Sequence, residues 1–211
     1  MLYIKKLTKI SNQIKALSQS TNLVVVTKNQ DQNIIKELVE TNHINFGENR
    51  VQEAINKWGN IINFKRDIKL HLIGKIQSNK VKQAFNIFDY IHSLDSLKIA
   101  EIFSKLEINS KKKIKYFIQV NLAKEAQKGG VYEEYLVEFL NICKKKLNLD
   151  ILGLMCIPPI NDNPDKYFRK LKELNEQNNL TELSMGMSSD YELAIKYGST
   201  YVRIGSAIFS N

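Results

Sequence analysis

The sequence predicts a single-domain (β/α)₈ barrel, of the TIM-barrel class, spanning residues 1–211. Short β-branched runs alternate with longer stretches of helical period, and about eight such units follow one another. An open doubly wound sheet uses the same units, but it usually carries G-x-G-x-x-G after its first strand. Here the first strand continues with Lys28, Asn29 and Gln30, which favours the barrel.

The predicted strands are apolar runs of about four to seven residues that are rich in β-branched side chains. Such runs are typical of parallel strands in a barrel, because one face of each strand packs against helices and the other faces the barrel interior. The predicted strands cover residues 23–27, 44–47, 70–74, 90–94, 116–121, 151–157, 182–187 and 201–205.

Recognisable first residues mark the helices between these strands. Apolar residues from Asn33 onward recur at helical spacing, Ser78 can cap the next helix, and Ser189 with Glu192 fits a capping box. The other helices are expected to open at Asp95 or Ser96, Tyr132 and Pro164.

Residues 1–20 predict an extra helix packed on the barrel, which could plug one of its ends, because Leu7, Ile10 and Ile14 recur every three or four residues. The stretch lacks the apolar core and cleavage site of a secretory signal. No apolar run approaches the roughly 20 residues needed to cross a bilayer. We expect a cytoplasmic monomer with no membrane partner.

The charge balance is basic, with a formal net charge of +9. Such an excess suits nucleic-acid binding when the cations cluster. The lysine runs 111–113 and 144–146 fall at predicted helix ends, where cations interact favourably with the helix dipole, so they indicate solvated surface. We expect no nucleic-acid partner; a basic RNA-binding barrel stays a minor alternative that salt-dependent binding would reveal.

The cysteines and histidines carry no metal-binding pattern. Cys143 and Cys156 form no C-x-x-C pair, and His43, His71 and His92 stand singly along the chain. We therefore expect reduced thiols and no metal.

Lys28 is the first candidate reactive residue, because catalytic groups of such barrels lie at the carboxyl ends of the strands. It directly follows the apolar run 23–26, which puts its amine at the rim of an apolar interior. Desolvation there favours the neutral amine that imine formation needs. The pattern alone fits a solvated loop lysine equally well.

The last strand carries the second candidate. Arg203 and Gly205 alternate with Val202 and Ile204, so the arginine is expected to point into the barrel while the apolar pair faces the helices. A buried guanidinium needs an acceptor. A ligand or an internal salt bridge to a carboxylate such as Glu48 could supply it.

Small residues follow the last two strands. Gly205 and Ser206 form a turn with free backbone N–H groups, a place where barrels often hold a phosphate. Ser184 and Gly186 on the preceding strand could add a hydroxyl and a close backbone approach. Glycine and serine are also ordinary turn formers.

Several segments combine into a resemblance that covers nearly the whole chain from Leu23 to Phe209. They are residues 24–28 (VVVTK), 46–49 (FGEN) with 51–53 (VQE), 71–74 (HLIG) with 77–80 (QSNK), 154–155 (LM), 183–188 (LSMGMS), and 198–200 (GST) running into 202–205 (VRIG). In these the chain resembles the pyridoxal phosphate homeostasis protein family, whose fold is similar to the N-terminal barrel domain of alanine racemase.

The resemblance implies pyridoxal 5′-phosphate (PLP) as the cofactor, held on Lys28 as a Schiff base. It also implies that Arg203 faces the pyridine nitrogen and that Asn49 lines the pocket. Ser184, Gly205 and Ser206 would bind the phosphate. The chain departs from the family at Asn29-Gln30, at Lys75-Ile76 and after Phe209, which puts loop shape in question.

The resemblance further implies a carrier that maintains PLP homeostasis and is not an enzyme. A permanent cation at the pyridine nitrogen makes the ring a poor electron sink. Similar racemases work with such an arginine but add a second domain and a partner tyrosine, and we expect neither here because only Ser210 and Asn211 follow Phe209. Apo-enzymes and free amino acids are possible recipients. The alternative is a small PLP-dependent amino-acid racemase or lyase.

Overall fold

The computed structural model describes residues 2–64 and 67–210, and within them eight parallel strands close into a barrel. Each strand pairs with the next along the chain, and β8 pairs with β1, which confirms the predicted fold. Met1 and Asn211, the ends of the predicted domain, lie outside this range. The strands are β1 Asn22–Val26, β2 Asn45–Glu48, β3 Lys69–Leu72, β4 Tyr90–Leu94, β5 Lys115–Gln119, β6 Asp150–Met155, β7 Glu182–Ser184 and β8 Tyr201–Ile204.

Helices follow the strands and pack around the outside of the barrel. A 3₁₀ turn at Ser78–Lys80 leads into α5, and a π-helical turn at Ile142–Lys146 ends α7. The α-helices are α1 Leu2–Leu17, α2 Gln32–Val39, α3 Val51–Trp58, α4 Ile61–Phe64, α5 Val81–Ile87, α6 Leu97–Ile108, α7 Glu133–Asn141, α8 Asp165–Gln177, α9 Tyr191–Lys196 and α10 Ser206–Phe209.

Two predicted caps are wrong. Ser78 lies inside the 3₁₀ turn and makes no side-chain cap, because the chain tightens there before α5 starts. Ser189 does not start a capping box: α9 begins at Tyr191, and the Asp190 carboxylate accepts from the backbone N–H of Met187 at 2.6 Å. A local turn closed by Asp190 replaces the expected box.

Strand β7 is shorter than predicted and ends at Ser184. Two residues later Gly186 has a φ of +92°, in the left-handed region that a side chain disfavours. A Cβ there would lie 2.6 Å from the Ala194 Cβ, so α9 packs directly on this glycine. The chain leaves the extended conformation at this point and runs over the barrel mouth.

The N-terminal helix forms as predicted. Helix α1 packs against α9 and α10 and buries Leu7, Ile10 and Ile14. Most of its polar residues are exposed, so the 3–4 spacing of the apolar ones decides which face is covered. Across the described ranges, no helix combines the length and the apolar character that crossing a bilayer requires.

Alternation along each strand divides the core into two layers. The larger layer lies between the strands and the helices and includes Val202 and Ile204, as predicted. A smaller apolar cluster, of Val24, Phe117, Met155 and Tyr201, is separate from it. His71, His92, Ser184 and Arg203 are buried polar residues on strands that border this smaller cluster.

Candidate functional site

A cavity of about 420 Å³ opens beyond the carboxyl ends of the strands. It contains five of the six predicted site residues, since the turns after β1, β2 and β8 converge there; Ser184 is the exception. The lining residues are Val26, Lys28, Asn49, Ile73, Ile157, Met187, Ser188, Ser189, Arg203, Gly205 and Ser206.

Lys28 lies where the sequence predicts it, two residues beyond the end of β1, but it is exposed. The expectation of a desolvated amine is therefore wrong for this structure, because the turn carries the lysine out of the apolar interior. Asn29 adopts a left-handed φ of +61°, and its backbone N–H donates to Glu53 Oε1 at 2.7 Å. The turn is thus fixed at the residue after the lysine, while the amine stays accessible.

A buried ionic cluster lies under this turn. The Lys57 ammonium lies 2.8 Å from Glu48 Oε1 and 2.8 Å from Glu53 Oε1. The same Glu48 oxygen accepts from the Thr27 hydroxyl at 2.7 Å and from the Trp58 indole N–H at 2.9 Å. Glu48 of β2, which Lys57 and Trp58 of helix α3 support, thereby holds the residue before Lys28.

Arg203 is 4% exposed and reaches the cavity from β8. Its Nη1 donates to Ser184 Oγ at 2.7 Å and its Nη2 to the Cys156 carbonyl at 3.0 Å. Burial lowers the pKa of the guanidinium from its ordinary value. Both acceptors are neutral.

The salt bridge considered for Arg203 does not form. Glu48 points to the opposite side of the sheet, where it meets Lys57 and Trp58. Within the described ranges no carboxylate lies within ion-pair distance of Arg203, although the Asp190 charge acts on the guanidinium from farther away. Buried charges are normally paired, so this cavity is electrostatically suited to an anion or a hydrogen-bond acceptor.

Ser184 is fully buried and does not line the cavity. Its hydroxyl contacts Arg203 and the Nδ1 atom of His92, the latter at 2.7 Å. The expected direct contact of Ser184 with a phosphate is not supported by this position. The residue supports Arg203 from within the barrel.

Ser188 and Ser189 line the cavity instead, and the sequence reasoning missed them. They follow Gly186, whose left-handed conformation turns the chain over the barrel mouth. Ser188 Oγ also accepts from the Ala207 backbone N–H at 3.1 Å, which ties this turn to the one after β8. The resemblance segment that ends at residue 188 was the available signal.

Two glycines allow close backbone approaches at this end of the barrel. A Cβ on Gly74 would lie 2.3 Å from the Asn49 carbonyl oxygen, and one on Gly205 would lie 3.0 Å from the Val26 carbonyl oxygen. These approaches bring the turns after β2 and β8 against their neighbours. The positions of Asn49 and Gly205 at the cavity follow from them.

The two central histidines meet inside the barrel, which the sequence reasoning also missed. His71 Nδ1 lies 2.8 Å from His92 Nε2, although the residues are 21 apart in the chain. Burial lowers the pKa of His71 to about 3 and that of His92 well below its ordinary value. The alternation of inward-facing and outward-facing residues along β3 and β4 was the sequence pattern that could have placed both rings inside the barrel. The described residues contain no group of three or more side chains arranged to hold a metal ion.

Both cysteines are free and buried. Burial raises the pKa of each thiol to about 12, so neither is poised to react. Cys156 contributes to the site through its backbone carbonyl, the acceptor for Arg203.

Sequence comparison identifies related proteins. The family model described as alanine racemase, N-terminal domain, matches residues 5–211. The pyridoxal phosphate homeostasis protein of Aquifex aeolicus (strain VF5) is 38% identical over 196 residues, covering 89% of this chain and 85% of that protein. The protein of the same name from Synechocystis is 37% identical over 210 residues, covering 95% and 96%.

Structural comparison gives a consistent result. PipY of Synechococcus elongatus, solved with PLP bound, superposes with a TM-score of 0.90 at 33% identity, and the match covers 100% of both chains. An alanine racemase from Corynebacterium glutamicum matches with a TM-score of 0.68 at 15% identity, covering 94% of this chain and 58% of that one. The racemase match shows a shared barrel fold.

Proposed function

The chain belongs to the pyridoxal phosphate homeostasis protein family, and from that premise we propose that it holds PLP on Lys28 and maintains the intracellular supply of this cofactor. The observation that carries the proposal is that two chemically different groups, an amine and a guanidinium, line the same cavity. An accessible primary amine, Lys28, and a buried cation with no direct ion pair among the described residues, Arg203, both line it. PLP supplies an aldehyde that condenses with a primary amine, with release of water.

Arg203 suits the ring nitrogen of PLP. Its guanidinium is donor-only, so the group that faces it in the cavity must accept a hydrogen bond. An unprotonated pyridine nitrogen meets that requirement. The contacts to Ser184 and Cys156 fix two of the guanidinium nitrogens and leave the remaining N–H groups for a ligand.

We assign the phosphate to the part of the cavity that is lined by four residues with small side chains or none. The turn after β8 brings Gly205 and Ser206, and the turn after β7 brings Ser188 and Ser189. Hydroxyls and backbone N–H groups in such turns bind anions well. We place Asn49 beside the ring, as a lining residue.

The lining favours a carrier over a catalyst. Among the described lining residues, Lys28 and Arg203 are the only side chains that carry an acid–base group, since no carboxylate, imidazole or phenol borders the cavity. Racemisation needs two acid–base groups on opposite faces of a substrate. The two buried histidines are sealed within the barrel and cannot supply the second one. Free amines and apo-enzymes that can reach the exposed Lys28 are the proposed recipients.

An absorbance titration tests this function. We expect PLP to produce a visible band that disappears on borohydride reduction, leaving the cofactor attached to Lys28 in a peptide map. Lys28→Ala should lose the visible band and the attachment of the cofactor. Lys75→Ala, a change outside the cavity lining, should keep both. Absence of the band in the wild type, or attachment at another lysine, would overturn the proposal. Turnover of D- or L-amino acids by the holo-protein would favour the racemase or lyase alternative.

A further inference from the structure

A continuous hydrogen-bonded chain runs through the barrel interior and ends at Arg203. From Arg203 Nη1 it passes to Ser184 Oγ (2.7 Å), and from Ser184 Oγ to His92 Nδ1 (2.7 Å). It continues from His92 Nε2 to His71 Nδ1 (2.8 Å) and from His71 Nε2 to Asn45 Oδ1 (3.1 Å). Four strands, β2, β3, β4 and β7, therefore contribute one residue each to a line that supports the arginine of β8.

The direction of every donor in this chain follows from its first member. Arginine can only donate, so Ser184 Oγ accepts from it and is left with one hydrogen to give. His92 Nδ1 is the other partner found for that hydroxyl. His92 must then accept at Nδ1 and carry its proton on Nε2, which donates to His71 Nδ1. His71 in turn carries its proton on Nε2 and donates to Asn45.

The reverse direction would leave a buried hydrogen without a partner. If His92 donated from Nδ1, the Ser184 hydroxyl would accept from both neighbours and its own hydrogen would meet no acceptor. Ser184 and His92 are each 0% exposed, so bulk solvent does not reach that hydrogen. Stacking of His71 on Tyr90 at 4.2 Å and of His92 on Phe117 at 4.4 Å holds both rings in place.

We propose that Ser184, His92 and His71 are positioning residues that fix Arg203 as an oriented hydrogen-bond donor toward the cavity. This inference rests on the proposed function for its ligand, but the chain itself is a property of the protein alone. It explains why a permanent cation is tolerated inside the barrel. The hydrogen-bonded chain of Ser184, His92 and His71, termed the relay, is neutral and has its donors and acceptors paired. It holds one guanidinium nitrogen without introducing a carboxylate that would compete with a ligand for the charge of Arg203.

Nuclear magnetic resonance of the ligand-free protein tests the relay directly. In ¹⁵N-labelled protein at pH 7, both His71 and His92 should be neutral and protonated on Nε2. An Nδ1-protonated His92, or a cationic ring at either position, would overturn the proposal. Because no PLP is present, this result is independent of whether the proposed function is correct.

A pair of variants tests the effect on the cavity. His92→Asn keeps an acceptor oxygen near the position of Nδ1, whereas His92→Leu fills the space without one. We expect His92→Leu to raise the PLP dissociation constant about tenfold and to alter the absorbance spectrum of bound PLP, and His92→Asn to stay within about threefold of the wild type. A role in packing alone predicts the opposite order, because leucine fits an apolar interior better. Equal affinities for both variants and the wild type would also contradict the proposal.

Folding is monitored by thermal unfolding of each variant. If neither variant folds, the ring protonation states in the wild-type protein still decide the proposal. If the wild-type protein shows the expected ring protonation states but binds no PLP, the relay stands and the proposed function fails.

Discussion

Lys57 donates from its ammonium to the backbone carbonyl of Thr27 at 2.6 Å, which ties helix α3 to the residue before Lys28. The cation is largely buried between Glu48, which is fully buried, and Glu53. One helix residue therefore stabilises the fold and fixes the turn that presents the proposed reactive amine.

Replacing Lys57 by methionine should destabilise the protein strongly. The change leaves the buried Glu48 carboxylate without its cation, and breaking one side of a buried pair costs about 3–5 kcal/mol. Urea denaturation measures the loss. Lys172→Met is the control, because its pair with Glu176 is long (3.9 Å) and exposed, and we expect less than about 0.5 kcal/mol there. A small effect at Lys57 would show that the pair contributes little.

Two glycines with similar backbone conformations separate backbone strain from steric clash. Gly186 has a φ of +92° and Gly198 a φ of +88°. A Cβ at Gly186 would lie 2.6 Å from the Ala194 Cβ, whereas a Cβ at Gly198 meets nothing within 4 Å. Gly198→Ala should cost about 1 kcal/mol from strain alone, and Gly186→Ala clearly more because α9 must shift. Equal midpoints in the thermal unfolding of the Gly186→Ala and Gly198→Ala variants would contradict this prediction.

Acidification should weaken the fold before the carboxylates titrate. Burial lowers the pKa of His71 from 6.5 to about 3, so below pH 6.5 the unfolded chain takes up a proton that the folded chain does not. Stability therefore falls as pH drops through 6.5 and continues to fall until about pH 3.

The size of this effect can be measured between pH 7 and pH 5. His71 alone should lower the free energy of unfolding by about 2 kcal/mol over that interval. His92, whose pKa is lowered well below its ordinary value mainly by burial, acts in the same direction. Urea denaturation at each pH provides the test. A free energy that stays constant across the interval would show that the imidazoles are protonated or solvated in the folded protein.

The two thiols should react only after unfolding. Burial raises the pKa of Cys143 and Cys156 to about 12, so roughly one thiol in ten thousand is ionised at pH 8. With an aromatic disulfide reagent we expect negligible reaction of the native protein and two equivalents in denaturant, since the chain has two cysteines. Rapid labelling of the native state would indicate that the barrel opens near one of them.

Sequence patterns predicted the barrel because its elements are encoded locally. β-Branched runs and helical spacing identify strands and helices one segment at a time, and a series of such units leaves few other topologies. Alternation in β8 likewise predicted that Arg203 points inward with Val202 and Ile204 on the other face, which the structure bears out. The predicted end of β7 was wrong, because the departure from extended backbone depends on how α9 packs over Gly186.

The sequence by itself therefore determined the barrel, the family, and the location of Lys28, Asn49, Arg203, Gly205 and Ser206 at one end of the strands. Tertiary structure decided the pairing of those residues with others distant in the chain. Arg203 donates to Ser184 and forms no salt bridge with Glu48. Ser184 contacts Arg203 from within the barrel, and His71 lies within hydrogen-bond distance of His92. A strand pattern specifies which face a side chain occupies, but the contacts across a closed barrel depend on how all eight strands are staggered around it.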